Sequence, residues 1–116
     1  MDRKYLFFDI DGTLAAGGYE HTYVPESTML ALRKLREAGH FLCIATGRSN
    51  GMAVAFMDAF EIKNMVSDGG NGLTVDGELV GIEPLPQDLV EQLIAECDEK
   101  GFPWGLVVDD SPRRVC

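Results

Sequence analysis

The residues that decide the fold are YLFFDIDGTL at positions 5–14, where an apolar run gives way to two acids. Four apolar residues in succession predict a strand buried on both faces, as in the parallel sheets of α/β proteins. At the carboxyl end of this strand, a side-chain period of two sends Asp9 and Asp11 to the same side of the chain. Gly12 then permits the sharp turn that leads away from the strand.

The two acids predict a cation site. Carboxylates held this close repel each other unless a cation lies between them or one of them stays protonated. A hard cation with oxygen ligands is the simpler solution, and Mg²⁺ is the cation that fits such ligands best. We therefore expect Asp9 and Asp11 to form part of a magnesium site at the edge of the sheet.

A second apolar run ends at the same edge. The pattern predicts a helix over residues 25–38 and a strand over residues 40–45, which ends at Thr46. Strand, helix and strand in succession form a right-handed parallel crossover, so Thr46 is expected beside Asp9. A hydroxyl followed by a glycine and a helix amino terminus suits an anion, although the same threonine could simply cap the helix.

The sequences DIDGT at residues 9–13 and ATGR at residues 45–48 resemble the first two motifs of the haloacid dehalogenase (HAD) superfamily, in its Cof-type form or subclass IIB. The resemblance implies that Asp9 attacks phosphorus and becomes an aspartyl phosphate, that Asp11 is the general acid and base, and that Thr46 binds the phosphoryl group. It also implies that Mg²⁺ binds Asp9 and the main-chain carbonyl of Asp11. A carboxylate nucleophile divides one difficult displacement into two easier ones.

Four further residues are candidate phosphate ligands: Gly12, Gly47, Arg48 and Asn71. The resemblance suggests Asn71, because Cof-type proteins have an Asn-Gly pair near the site. The preceding Asp68-Gly69-Gly70 departs from the family's pattern, which leaves the roles of Asp68 and Asn71 open. Arg48 could either contact a phosphate or pair with an acid.

The rest of the chain predicts more of the sheet and then a separate unit. A helix is expected over residues 51–60, a strand over 64–67 and a hairpin of strands 73–75 and 78–80 around Asp76-Gly77. By resemblance, residues 1–82 form the amino-terminal part of an incomplete, Rossmann-like HAD core of the α/β class. Residues 83–116 would begin a C2-type α+β cap.

Within that cap, the pattern predicts a helix over residues 88–100, a strand over 104–108 and a turn over 109–112. Leu89, Leu93 and either Ile94 or Ala95 are expected on the buried face of the helix. The lysine and acidic pair that the family uses after its cap have no counterpart here, since the surroundings of Lys100 and Asp109-Asp110 resemble cap. We therefore expect an amino-terminal portion of a family member, with impaired activity.

The missing part leaves a free edge. In the family sheet a fourth core strand lies beside the first, so residues 5–10 are expected to form an unpaired apolar edge. We expect this edge to pair with the missing carboxyl-terminal half or with another copy of the chain.

Composition limits the kinds of binding partner and the cellular compartment that we expect for this protein. The net charge of −9 and the pI near 4.5 argue against nucleic acid or an anionic membrane as a partner. Cys43, Cys97 and Cys116 lie far apart without metal-ligand spacing, which favours a reducing, cytoplasmic setting. The resemblance implies a small phosphorylated metabolite as substrate, with sugar phosphates as the commonest class in the family.

Three alternatives stay open. A phospho-receiver domain has a similar length and would use Asp68 as its acceptor, but it needs an adjacent acidic pair and a later lysine. An EF-hand calcium loop could use Asp9, Asp11, Thr13 and Glu20, but Leu14 stands where that loop requires glycine. The chain could also bind Mg²⁺ or phosphate without turnover.

Overall fold

A mixed five-stranded sheet is the centre of the structure, a computed structural model that describes residues 2–18, 21–108 and 110. The strands lie side by side in chain order: β1 (Tyr5–Phe8), β2 (Phe41–Ala45), β3 (Met65–Ser67), β4 (Gly72–Val75) and β5 (Glu78–Ile82). The first three strands are parallel, and β4 and β5 are antiparallel to their neighbours. The predicted α/β fold class is confirmed.

Two helices cover one face of this sheet. Helix α1 (Glu26–Glu37) links β1 to β2, and α2 (Asn50–Phe60) links β2 to β3. Both crossovers step across the sheet in the same direction, so their right-handedness puts both helices on the same face. Their apolar side chains form the core with β2 and β3, including Leu32, Ile44, Met57, Phe60 and Met65.

Strand β1 departs from one expectation and meets another. Leu6 and Phe8 pack against the core, whereas Tyr5 and Phe7 remain 62% and 59% exposed. The prediction of burial on both faces is therefore wrong for this chain, because both crossover helices lie on one face of the sheet. Within the described residues β1 is also a terminal strand, so the expected unpaired edge is confirmed.

The hairpin of β4 and β5 is confirmed. Asp76 and Gly77 have φ values of 51° and 83°, both in the left-handed region that a two-residue type I′ turn requires. Since β4 pairs with β3, the hairpin extends the core sheet and ends at Ile82. The boundary that we predict between residues 82 and 83 stays a prediction.

Helix α3 (Gln87–Lys100) forms as predicted but turns a different face inward. Val90, Ile94 and Cys97 are half-buried, whereas Leu89 and Leu93 are exposed, so the assignment of these two leucines to the buried face is wrong. In the ranges that the structure describes, no helix is both long and apolar enough to cross a membrane.

The strand predicted over residues 104–108 does not form. Only Leu106 in this segment takes part in a β-bridge. An extended segment becomes a strand only when a neighbouring strand supplies a ladder of hydrogen bonds, and sequence pattern does not report whether such a neighbour exists. The predicted turn over residues 109–112 lies outside the described residues, except for Asp110.

Candidate active site at the carboxyl edge of the sheet

The two motif loops meet at one edge of the sheet. Strands β1 and β2 are hydrogen-bonded parallel neighbours, with Phe8 opposite Ile44. Asp9 directly follows β1 and Thr46 directly follows β2. The two residues that the sequence analysis assigned to one phosphoryl group therefore leave the sheet at the same end, on adjacent strands.

The loop after β1 is built around one buried residue. The carbonyl of Ile10, whose side chain is fully buried, accepts hydrogen bonds from the main-chain N–H groups of Thr13, Leu14 and Ala15 at 3.2, 3.1 and 2.9 Å. Gly12 adopts a φ of 81°, which favours glycine. Because Ile10 points into the core, the acids on either side of it are exposed at the edge.

Of the two partners considered for Arg48, the structure shows its guanidinium paired with an acid, and the contact with phosphate stays a prediction. Its Nε and Nη2 atoms donate to the two carboxylate oxygens of Asp11 at 2.9 and 2.7 Å. The guanidinium also lies 4.9 Å from the ring centre of Phe56, and the Arg48 side chain is only 12% exposed. The hydrogen bonds from Arg48 lower the pKa of Asp11, although partial burial opposes the shift.

Thr46 is buried and fixed by its own loop. Its Oγ1 accepts a hydrogen bond from the Arg48 N–H at 3.0 Å, and its main-chain N–H donates to the carbonyl of Val66 at 2.9 Å. The amino-terminal cap position of α2 belongs to Ser49, so Thr46 is not its cap. The hydroxyl holds the loop that presents Arg48 to Asp11.

Asp68 and Asn71 have different surroundings. The Oδ2 atom of Asp68 accepts hydrogen bonds from the Asn50 N–H at 3.1 Å and the Ser67 hydroxyl at 2.8 Å, so this carboxylate stabilises the start of α2. Asn71 is exposed and, with Gly47, lines a cavity of about 520 Å³ beside the edge. The structure thus brings Asp9, Asp11, Thr46, Gly47 and Arg48 to one region, with Asn71 at its side.

Sequence reasoning missed three polar residues at or beside the start of α2. Ser49 and Asn50 are buried at the start of α2, and Asp110 contacts Asn50 across 60 positions of sequence. Ser49 and Asn50 alone look like ordinary helix caps. Nothing in their spacing indicates a contact with Asp110.

The donor set fits Mg²⁺ in kind but is incomplete. Asp9 and Asp11 offer the hard oxygen atoms that Mg²⁺ prefers. Both carboxylate oxygens of Asp11 accept from Arg48, and one oxygen of Asp9 accepts from the N–H of Ile10 at 2.8 Å. Among the residues with described positions, no three histidine, cysteine or acidic side chains form a metal cluster. These residues can supply part of a magnesium site.

The sequence of this chain is similar to a family of known proteins. Residues 6–111 match the family described as haloacid dehalogenase-like hydrolase. A curated protein of Bacillus subtilis (strain 168), named "Putative phosphatase YkrA", is 31% identical in an alignment covering 99% of this chain and 44% of that protein.

Two solved structures are also similar to this chain. A hypothetical protein from Geobacillus kaustophilus HTA426 is 33% identical with a TM-score of 0.73, over 97% of this chain and 42% of that one. The HAD subclass IIB sugar phosphatase BT4131 is 31% identical with a TM-score of 0.71, over 91% and 41% of the two chains. The chain therefore spans less than half the length of these relatives.

Proposed function

Because this chain belongs to the haloacid dehalogenase-like hydrolase family, we propose that it is the part of a Mg²⁺-dependent phosphohydrolase that carries the nucleophile. The observation that supports this most strongly is the meeting of the two motif loops at one sheet edge, where Arg48 contacts Asp11. Membership in this family also argues against the two alternatives of a phospho-receiver domain and an EF-hand calcium loop. A small phosphorylated metabolite, such as a sugar phosphate, is the proposed substrate, since a relative of 31% identity is a sugar phosphatase.

In the proposed reaction, Asp9 performs the first displacement. An oxygen of its carboxylate forms a bond to phosphorus while the bond from phosphorus to the leaving oxygen breaks, and Asp11 gives its proton to that oxygen. Water then attacks the aspartyl phosphate, and Asp11 takes a proton from this water. The second displacement releases inorganic phosphate and restores the Asp9 carboxylate.

The other residues of the edge would bind the phosphoryl group. Thr46 would donate its hydroxyl, and Gly47 would offer a main-chain N–H group that no side chain shields. Gly12 would let the group approach the loop closely, while its own N–H donates to the carbonyl of Ala15 at 2.9 Å. Asn71 would contact the substrate from the side of the cavity. Mg²⁺, bound to the Asp9 carboxylate and the Asp11 carbonyl, would reduce the repulsion between this carboxylate and the phosphate.

The pairing of Arg48 with Asp11 bears on the order of these steps. A lowered pKa favours the ionised Asp11 that accepts a proton from water, whereas protonation of the leaving group requires the acid form. We propose that the guanidinium moves from Asp11 to the phosphate when substrate binds, because its fork of donors matches both anions. Asp11 would then regain a higher pKa and could act as the acid.

Hydrolysis of p-nitrophenyl phosphate with Mg²⁺ tests this function. We expect the protein that carries this chain to be active, and we expect Asp9→Asn to reduce kcat by about a thousandfold or more, because it removes the nucleophile. Asp58→Asn is the matched control, because it changes an exposed acid on α2 away from the edge. Full activity in Asp9→Asn would refute the proposed role of this residue.

For the 116-residue chain alone, we propose binding of phosphate or Mg²⁺ with little turnover. The partial set of metal ligands supports binding without turnover. The exposed β1 edge is a separate feature, which favours association of the chain with another copy. Self-association through that edge would compensate for the unpaired strand. Calorimetric titration with phosphate and Mg²⁺, set beside the hydrolysis assay, separates binding from catalysis.

A further inference from the structure

Asp110 lies at the amino terminus of α2, far from its own position in the sequence. Its Oδ1 atom accepts a hydrogen bond from the main-chain N–H of Gly51 at 2.5 Å, and its Oδ2 atom accepts from Nδ2 of Asn50 at 2.8 Å. Both carboxylate oxygens are therefore engaged. A helix amino terminus has unpaired N–H groups and a partial positive charge, which a carboxylate complements.

The side chain of Asn50 is fixed so that it presents its donor to Asp110. Asn50 is buried, and its Oδ1 atom accepts a hydrogen bond from the buried hydroxyl of Thr74 in β4 at 3.4 Å. With the oxygen directed at Thr74, the amide nitrogen faces the other way, towards Asp110. The core sheet thus orients the group that binds the Asp110 carboxylate.

Gly51 fits the same contact. A side chain on Gly51 would overlap the main-chain carbonyl of Asp110, so the close approach of the two backbones requires glycine at this position. The contact therefore combines a fixed amide donor, a main-chain donor and a shape that only glycine provides.

The segment that ends at Asp110 forms a wall of the cavity beside the candidate active site. Leu106 and Val108 line that cavity from one side, and Gly47, Ser49 and Asn71 line it from the core. Ser49 is buried, and its hydroxyl has no hydrogen-bond partner among the described residues. A buried hydroxyl of this kind is a ready contact for a bound molecule.

We propose that Asp110 is a positioning residue that holds residues 105–108 against the start of α2 and thereby closes the cavity that receives the leaving group. This inference rests on the proposed phosphohydrolase function for the identity of the occupant. Asp110 itself takes no part in phosphoryl transfer. Loss of its contact should weaken the binding of a large leaving group and leave the chemistry at Asp9 nearly unchanged.

Hydrogen exchange measured on the protein that carries this chain tests the contact without reference to activity. In Asp110→Ala, we expect the Gly51 amide and the amides of residues 105–108 to exchange at least about tenfold faster. The reason is that the two hydrogen bonds accepted by the Asp110 carboxylate no longer oppose local opening. Glu99→Gln, an exposed acid on α3, is the control and should leave both places unchanged. Unchanged exchange in Asp110→Ala overturns the proposal, as does faster exchange spread evenly over the whole protein.

A reversed pair separates this contact from a general loss of stability. In Asp110→Asn the new amide faces the amide of Asn50, so one hydrogen bond is lost. Adding Asn50→Asp restores a carboxylate opposite an amide, and we expect the double variant to recover protection at Gly51. Protection no better than in Asp110→Asn contradicts the proposed pairing.

Kinetics test the consequence for the leaving group. In Asp110→Ala, we expect KM for p-nitrophenyl phosphate to rise about fivefold with kcat within about twofold, whereas KM for acetyl phosphate, whose leaving group is small, should not change. An equal rise for both substrates, or no rise, overturns the role in closing the cavity. If Asp9→Asn retains full activity, the proposed function fails, and the exchange experiment still judges the contact.

Discussion

The sheet with its two crossover helices and the segment after Ile82 differ in how deeply their helices are buried, although both regions have amphipathic helix patterns. Helices α1 and α2 bury Leu32 and Phe60 almost completely, whereas α3 has no fully buried side chain. All three helices carry amphipathic patterns. The pattern indicates which face of a helix needs a partner. Within the part of the chain that the structure describes, only α1 and α2 bury that face in the core of the sheet. The difference predicts where mutations should matter most.

Phe60→Ala should have the largest effect on stability. Phe60 is fully buried in the core, and its truncation should lower the free energy of unfolding by about 3–5 kcal/mol. Leu93→Ala in α3 is the control and should change it by at most about 0.5 kcal/mol, since Leu93 is exposed. Urea denaturation followed by circular dichroism measures both. Equal losses in the two variants would contradict the contrast between core and α3.

The two terminal strands offer a second contrast. Strand β1 reads YLFF, whereas β5 reads ELVGI, in which a charge and a glycine weaken strand pairing. We expect the 116-residue chain to self-associate through β1, and we expect Phe7→Lys to weaken this association by about tenfold because it places a charge beside the edge. Light scattering after size-exclusion chromatography measures the effect, with Val80→Lys in β5 as the control. A chain that is monomeric at high concentration would contradict this prediction.

The smallest expected effect concerns pH. Arg48 lowers the pKa of Asp11 through its hydrogen bonds, so Arg48→Gln should let that pKa rise. In the protein without substrate, the side-chain carboxyl resonance of Asp11, followed by NMR, should therefore titrate at higher pH in this variant than in the unchanged protein. Arg36→Gln is a suitable control, because Arg36 pairs with Glu61 instead. An unchanged titration of Asp11, or a shift to lower pH, would contradict the effect of Arg48 on this carboxyl.

Local pattern was sufficient for the elements of the core. The run of apolar residues before Asp9, the helix pattern over residues 25–38 and the Asp76-Gly77 turn each act over short stretches of sequence. The structure contains the strand, the helix and the hairpin that they predict. The exposure of one face of β1 was not predictable in this way. It depends on the direction in which the chain crosses the sheet, which no single segment specifies.

The candidate site also has features that the sequence predicts and features that depend on the three-dimensional structure. The meeting of Asp9 and Thr46 at one edge follows from the handedness of a single crossover, which sequence order supplies. Whether Arg48 contacts a phosphate or an acid depended on side-chain geometry, since both partners would attract a guanidinium. The contact of Asp110 with Asn50 joins two distant segments through polar groups that have no periodic pattern, so only the coordinates reveal it.

Labelling with acetyl phosphate tests the central claim most directly, namely that both motif loops act on one phosphoryl group. Mass spectrometry after a short reaction of the protein with Mg²⁺ should find the phosphoryl group on Asp9, and Thr46→Val should reduce its yield strongly. Phosphoryl groups on Asp68, or labelling of Asp9 that does not depend on Thr46, would contradict the account.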